Sequence, residues 1–380
     1  MKTLRSLALL LPLALLALLA GCNTVVLNPS GDIAAQQAKL VVQSTVLMLL
    51  IVVPVIALTL WFAWHFRASN KRADYRPDWD HSTQLELIIW AAPLLIIIAL
   101  GALTWISTHT MDPYRPLKRV DAERRVAADV KPLEVEVVAL DWKWLFIYPE
   151  QGIALVNEMA APVDRPIHFK LTASTVMNAF YVPELAGMVY TMPGMQTQLH
   201  AVINKPGNFE GFSSNYSGAG FSHMRFRFLG LSDADFEAWV EKNKQEGAGN
   251  ALSREAYLKL VQPSEKEPVR RYASVDKNLY RAIYDRCVEA NKMCTSDMMA
   301  IDDNGGIGGA PGAYNLASLD EATRRRLGIS ELRTGEKGRT YVAALCTPAN
   351  PEGVTPKNAP TSAPPQKVSA AEEAPSSRQQ

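Results

Sequence analysis

One carboxylate in this chain stands where a charge is costly. Glu86 opens an apolar run, residues 87–111, that contains no Asp, Glu, Lys or Arg. At the centre of a bilayer a charged side chain costs about 2.5–3.5 kcal/mol on insertion scales. Glu86, Trp90 and Pro93 follow one another at i, i+4 and i+7, so they share one face of a helix. Two readings of Glu86 stand side by side. It reaches water at the edge of the run, or it faces another protein subunit or a water-filled path, which a hairpin alone cannot provide. Other reactive types are sparse. Cys287 and Cys294 lie close together and either pair or stay free; four cysteines in all are too few for a disulfide scaffold. The run Asn304-Gly305-Gly306-Ile307-Gly308-Gly309 has no preceding strand pattern and no Lys-Ser/Thr after it, so it reads as a loop and not as a phosphate cradle. His223 is a lone imidazole and reads as a surface residue.

The elements that hold Glu86 are legible. Residues 40–66 form a second uncharged run, and each run exceeds the roughly 20 residues needed to cross a bilayer core. A soluble helix of that length would show a polar face. Between the runs lie Arg67, Lys71, Arg72 and Arg76; basic residues in a short loop favour the cytoplasmic side. The chain is therefore expected to cross, turn and return, leaving everything after Asp112 outside the cytoplasm. Pro54 falls within the first run, where a kink is tolerated. Trp61, Trp64 and His65 read as an interfacial belt.

The N-terminus adds a second tie to the membrane. Lys2 and Arg5 precede an apolar run, and Leu19-Ala20-Gly21-Cys22 closes it. This resembles the bacterial lipoprotein signal, which implies cleavage before Cys22 and lipidation of that residue. Acyl chains insert at about 0.8 kcal/mol per buried methylene. They would hold residues 23–39 at the outer leaflet.

Beyond the charged linker 112–130 the pattern changes to period two. Leu133, Val135, Val137 and Ala139 alternate with Glu134, Glu136 and Val138. Short strands are predicted at 144–148, 167–172, 179–182, 198–203, 207–213 and 224–229, separated by turns such as Lys205-Pro206-Gly207. Ser232 caps one later helix, with Leu231 placed to staple onto Phe236. Leu252-Ser253 with Tyr257 repeats that arrangement, and Leu279, Tyr280, Ile283, Tyr284 and Cys287 recur at helical spacing. Residues 347–380 are rich in Pro, Ala and Ser and read as a disordered tail. A net charge of +1 gives no electrostatic case for a nucleic-acid partner.

Taken together, the hairpin, the strands, the Glu86…Trp90…Pro93 pattern and the aromatic stretch Asp141-Trp142-Lys143-Trp144-Leu145-Phe146 resemble subunit II of the haem–copper respiratory oxidases over residues 40–230. So does the loop from Gly211 to Met224. The resemblance implies a membrane α-helical hairpin, an all-β cupredoxin-like Greek-key barrel and appended C-terminal helices. In the cytochrome c-oxidising relatives that loop and an earlier strand hold a two-copper centre. The corresponding positions here are Asn178, Ser213, Asn215, Ser217, Phe221 and Met224. Soft copper sites need thiolate and imidazole, and of these six only the thioether of Met224 is soft. The resemblance therefore points to the quinol-oxidising branch, the cytochrome bo-type ubiquinol oxidases. It implies no metal or cofactor in this chain, with haem and copper in a large partner subunit. It further implies contact with the other oxidase subunits, ubiquinol reached through the complex, a bacterial inner-membrane location, and Glu86 where protons enter. Trp142 and Trp144, relay or docking aromatics in a copper-bearing relative, are expected here to pack the barrel.

The expected division is a signal peptide at 1–21, a lipid-anchored segment at 22–39, the hairpin at 40–111 and the barrel at 112–230. A helical extension at 231–346 and a tail at 347–380 complete it. Two rival readings remain: a copper-bearing electron carrier, which predicts metal on the isolated outer fragment, and a free-standing binding lipoprotein, which predicts purification without haem subunits.

Overall fold

The two uncharged runs fold as helices. In the computed structural model, which describes residues 24–74, 76–289, 292–303, 333–334 and 340–341, α1 spans Asp32–His65 and α2 spans Thr83–Thr110. At 1.5 Å per residue they are about 51 and 42 Å long, enough to cross a bilayer core of about 30 Å with turns to spare. Their apolar windows bury nothing inside the protein. Helices apolar on every side and covered by nothing of their own chain are membrane helices. Pro54 lies inside α1 and Pro93 inside α2.

α1 starts well before residue 40, and the reason corrects the picture of residues 22–39 as a tether alone. Asp32, Ile33 and Ala34 are buried, with Ile33 inside the barrel core. The backbone N–H groups of Ser30 and Gly31 donate to the Glu184 carbonyl at 3.0 and 2.8 Å, and Gly31 bridges to Ile203. Only glycine fits there: a Cβ on Gly31 would lie 2.5 Å from the Val202 carbonyl oxygen and 2.7 Å from that of Leu185. The Asp32 carboxylate, 4% exposed, accepts from Arg119 Nε at 2.8 Å and Gln36 Nε2 at 2.9 Å. α1 thus grows out of the barrel and runs unbroken into the membrane segment.

The barrel is two packed sheets. Its strands are β1 (Leu133–Leu140), β2 (Lys143–Tyr148), β3 (Ile153–Val156), β4 (Glu158–Pro162), β5 (Ile167–Ala173), β6 (Asn178–Tyr181), β7 (Val189–Thr191), β8 (Thr197–Ala201), β9 (Gly207–Ser213) and β10 (Arg225–Leu231). Then come α3 (Asp233–Glu246), β11 (Ala251–Leu252), α4 (Arg254–Leu260), β12 (Arg270–Tyr272) and β13 (Ser274–Val275). One sheet runs β12-β3-β2-β1-β5-β8 and the other β4-β10-β9-β6-β7. The pairs β1–β5 and β4–β10 are parallel, which a plain up-and-down meander would not produce. Leu133, Val135, Val137 and Ala139 face inward as their alternation requires. Between the sheets Phe180 stacks on Phe226 at 5.4 Å and meets Trp144 edge-on at 5.5 Å. Edge-to-face and offset pairs of this kind favour one packing arrangement over others.

Among β1 to β10, three strands were not predicted. β3 and β4 are buried at every position, so they carry no alternation, and β7 has only three residues. The region after residue 230 is also more than appended helices. β12 pairs antiparallel with β3, setting Arg270 opposite Val156 and Tyr272 opposite Ala154. It covers an edge that would otherwise expose unpaired backbone groups. The caps on α3 and α4 are as read: Ser232 Oγ accepts from Asp235 N–H, and Ser253 Oγ from Ala256 N–H.

Residues from Asn278 onward form a second compact unit. Its described elements are α5 (Leu279–Tyr284), α6 (Thr295–Asp303), β14 (Arg333–Thr334) and β15 (Thr340–Tyr341). α5 stops before Cys287, short of the expected helix, because Arg286 takes a left-handed φ of 58° and Cys287 N–H turns back to the Ala282 carbonyl at 2.8 Å. Cys287 and Cys294 are joined by a disulfide. The signal segment 1–21, Cys22, the glycine run 304–309 and the tail 347–380 lie outside the described residues.

Candidate functional site

The barrel loop that would hold a metal in a copper-bearing relative is closed on itself. It leaves β9 at Ser213, passes a 3₁₀ turn at Phe221–His223 and enters β10 at Arg225. Ser213 N–H donates to the Met224 carbonyl at 3.2 Å across its neck. Ser213 Oγ donates to Asn178 Oδ1 at 3.1 Å and accepts from Ala179 N–H at 3.3 Å. Asn178 and Ser213 are 1% and 3% exposed. Asn215 Nδ2 donates to the Met177 carbonyl at 3.2 Å, and its own carbonyl lies 3.2 Å from Ser213 Oγ. Met224 is fully buried in the core.

So Asn178, Ser213, Asn215 and the Met224 backbone are brought together, while Ser217 and Phe221 are held elsewhere. The Ser217 carbonyl accepts from Trp142 Nε1 at 3.1 Å, and its Oγ is buried without a hydrogen-bond partner among the described residues. The Phe221 ring meets Tyr216 edge-on at 5.6 Å. His223 is exposed.

The two tryptophans separate in role. Trp144 sits in the core, as expected. Trp142 is only half-buried, with a left-handed φ of 64°, and lies beneath the loop. A Cβ on Gly220 would come within 2.5 Å of the Trp142 ring. The indole is therefore the floor on which the loop rests, a role that residue spacing did not disclose.

The donor set here does not fit a dinuclear copper centre. Hydroxyl and amide groups are neutral, hard donors, and a serine hydroxyl cannot bridge two coppers as a thiolate does. Among the described residues no three His, Cys, Asp or Glu side chains come together as metal ligands. Asn178, Ser213 and Asn215 spend their polar atoms on one another and on the backbone, which is how buried polar groups are satisfied.

At the opposite end of the hairpin the arrangement is different. Glu86 lies in the first turn of α2. Its Oε1 is 2.7 Å from His81 Nδ1, and His81 Nε2 is 3.2 Å from Thr83 Oγ1. The side chains of His81 and Glu86 are 61% and 51% exposed. An imidazole and a carboxylate in hydrogen-bond contact, open on one side, can pass a proton between them. His81 was missed in the sequence; the signal was there, an imidazole five residues before Glu86. Trp90 is 77% exposed on the face it was expected to share with Glu86.

Two further groups show how burial acts on the barrel. Lys143, 1% exposed, donates from Nζ to the Gln262 carbonyl at 2.7 Å and to Ser264 Oγ at 2.6 Å, fastening the extension to β2. Burial pulls its ammonium below the ordinary lysine range, against the pull of Glu267. On β1, burial and then the neighbouring Glu134 push Glu136 up to about 7, while Lys170, opposite it on β5, opposes the shift.

A two-helix membrane hairpin carrying a cupredoxin-like barrel is the architecture of subunit II of the haem–copper oxidases, and comparison with known proteins agrees. Residues 133–228 match the family model for the cytochrome c oxidase subunit II periplasmic domain, and residues 246–291 match the COX aromatic rich motif. Among relatives, cytochrome bo(3) ubiquinol oxidase subunit 2 of Pseudomonas putida is 47% identical over 283 residues, covering 74% of this chain and 87% of the relative. Ubiquinol oxidase subunit 2 of Acetobacter aceti is 50% identical over 266 residues, covering 70% and 83%. Among solved structures, the periplasmic domain of subunit II of cytochrome oxidase from Bradyrhizobium japonicum is 25% identical over 32% of this chain and 97% of its own, with a TM-score of 0.30. The chain belongs to the ubiquinol oxidase subunit 2 family.

Proposed function

We propose that this chain is a non-catalytic, integral subunit of a proton-pumping ubiquinol oxidase of the bacterial inner membrane. The complex oxidises ubiquinol and reduces oxygen to water. The hairpin packs against a large subunit that carries haem and copper, and the barrel caps it from outside. The observation that carries this reading is the hydrogen bond between Ser213 and Asn178, where thiolate and imidazole would have to stand. With no electron relay in the barrel, electrons reach the large subunit directly from a donor dissolved in the membrane. Glu86, with His81 at 2.7 Å, takes up protons at the cytoplasmic end of the hairpin and passes them to the large subunit. Cys22 is lipidated and ties the start of the chain to the outer leaflet.

Affinity purification of the full chain in mild detergent tests this. The expected result is a co-purifying haem spectrum, rapid turnover with ubiquinol and none with reduced cytochrome c. Efficient turnover with cytochrome c, or stoichiometric copper in this chain, overturns it.

A further inference from the structure

The outer face of the six-stranded sheet carries two imidazoles that neither the rim nor the hairpin uses. His168 on β5 and His200 on β8 are register partners across an antiparallel pair. Their neighbours Phe169 and Leu199 point into the core, so both imidazoles point outward. The His200 N–H donates to the Pro113 carbonyl at 3.0 Å and is not spent on β5. The pair is therefore of the non-hydrogen-bonded kind, in which the Cα atoms lie about 4.5 Å apart and the side chains come closest. The rings lie parallel, with 4.3 Å between centroids and 4° between planes.

Their nitrogens are little used. His168 Nε2 is 3.1 Å from Gln198 Oε1; among the described residues no hydrogen bond reaches His168 Nδ1 or either ring nitrogen of His200. Both residues are half-buried and keep an open side. Burial, and then the facing His168, lower His200 to about 4, so near neutral pH it is uncharged, the state in which imidazole binds a metal. The carboxylate in the same row, Glu134 opposite His168 on β1, is ion-paired with Lys170. What remains is two neutral nitrogen donors side by side and open solvent. Such a pair suits a borderline metal ion and not Mg²⁺ or Ca²⁺, which take oxygen. Zn²⁺ has no geometric demand from its d electrons, and histidine χ2 is a broad torsion. Turning each ring can therefore bring one lone pair of each onto a common point.

We propose that His168 and His200 hold one Zn²⁺ ion between them, with water filling the rest of its shell. The ion would clamp the edge strand β8 to β5 beside Pro113, where the chain passes from α2 to the barrel. The pair lies on the other sheet from Asn178 and Ser213, and the proposal is independent of the quinol-oxidase reading. The test is equilibrium dialysis of the purified complex against Zn²⁺ in mild detergent. His200→Phe keeps a ring in the stack and removes its nitrogens. Wild type is expected to bind one more zinc per chain than this variant, and zinc at the pair is expected to weaken at least about tenfold, since second-shell partners alone are worth about 10–100-fold. Zinc held elsewhere, at His81 and Glu86 included, cancels in the comparison. His168→Phe is expected to behave alike, and Zn²⁺ to raise the Tm of wild type more than that of either variant. If phenylalanine prevents assembly, His200→Gln takes its place. Equal zinc binding in wild type and variant overturns the proposal, as does displacement of the ion by an equal concentration of Mg²⁺.

Discussion

The two ends of this molecule have gone opposite ways. At the barrel rim, the positions of a metal site survive as a scaffold held by its own hydrogen bonds: Ser213 to the Asn178 side chain, Asn215 to the Met177 carbonyl, Trp142 to the Ser217 carbonyl. At the far end of the hairpin, Glu86 and His81 face each other at 2.7 Å and stay open to their surroundings. A group closed into its neighbours holds a shape; a group left open can exchange a proton. The contrast separates two currencies that one subunit can carry. In our reading electrons bypass the barrel while protons still pass through the hairpin.

The sharpest way to break that contrast is to reopen the rim. Replacing Asn178 and Phe221 by His, Ser213 and Ser217 by Cys and Asn215 by Glu, with Met224 kept, should turn the loop into a tight copper site, read by elemental analysis of the full chain. Failure of that variant to bind copper while its strands remain intact would mean that the loop, and not only its side chains, has diverged. Next in size, Glu86→Gln should lower ubiquinol turnover and slow haem reduction by about tenfold or more, within the range of a lost proton-transfer group. His81→Ala should do the same to a smaller degree. Wild-type kinetics in the assembled Glu86→Gln enzyme would remove the hairpin from the proton route.

Closure at the rim should register as stability. Gly220→Ala drives a Cβ into the Trp142 ring, and overpacking of that kind costs about 1–3 kcal/mol. Asn178→Ala removes one of two acceptors of the buried Ser213 hydroxyl, which keeps the Asn215 carbonyl at 3.2 Å, so the cost is smaller, about 0.5–1.5 kcal/mol. Thermal melts of the purified complex measure both, and turnover per folded complex should not change. The smallest effect marks the barrel as a bystander in proton traffic. The unfolded chain ionises Glu136 near 4.5 and the folded chain near 7. Between those values the folded state keeps a proton that the unfolded state has released, so stability falls as pH rises through that interval and is level above it. Glu136→Gln should therefore raise Tm near pH 8 by about 2–4 °C, leave it unchanged near pH 4, and not move the pH profile of turnover.

Much of this was readable from residue order alone, and the reason is physical. Membrane spans announce themselves because lipid tolerates no charge over some twenty positions, so 40–66 and 87–111 could be marked without a fold. Strands exposed on one side alternate, as β1 does. The missing thiolates and imidazoles are a matter of atom types, and no packing arrangement can supply a soft donor that the chain does not encode. What residue order could not decide is which distant groups meet. β3 and β4, buried on both faces, lost the alternation that marks a strand. β12 was recruited from the extension to close an edge, and α1 began at Asp32 because Arg119, far along the chain, neutralises that carboxylate inside the barrel. The left-handed turn at Trp142 puts an indole under the loop only once the two sheets are packed face to face, and the hydrogen bond that joins Asn178 to Ser213 exists only once β6 pairs with β9. Local pattern selects the elements because helix and strand repeat over a few residues; the contacts between them are set by packing, which has no period to read.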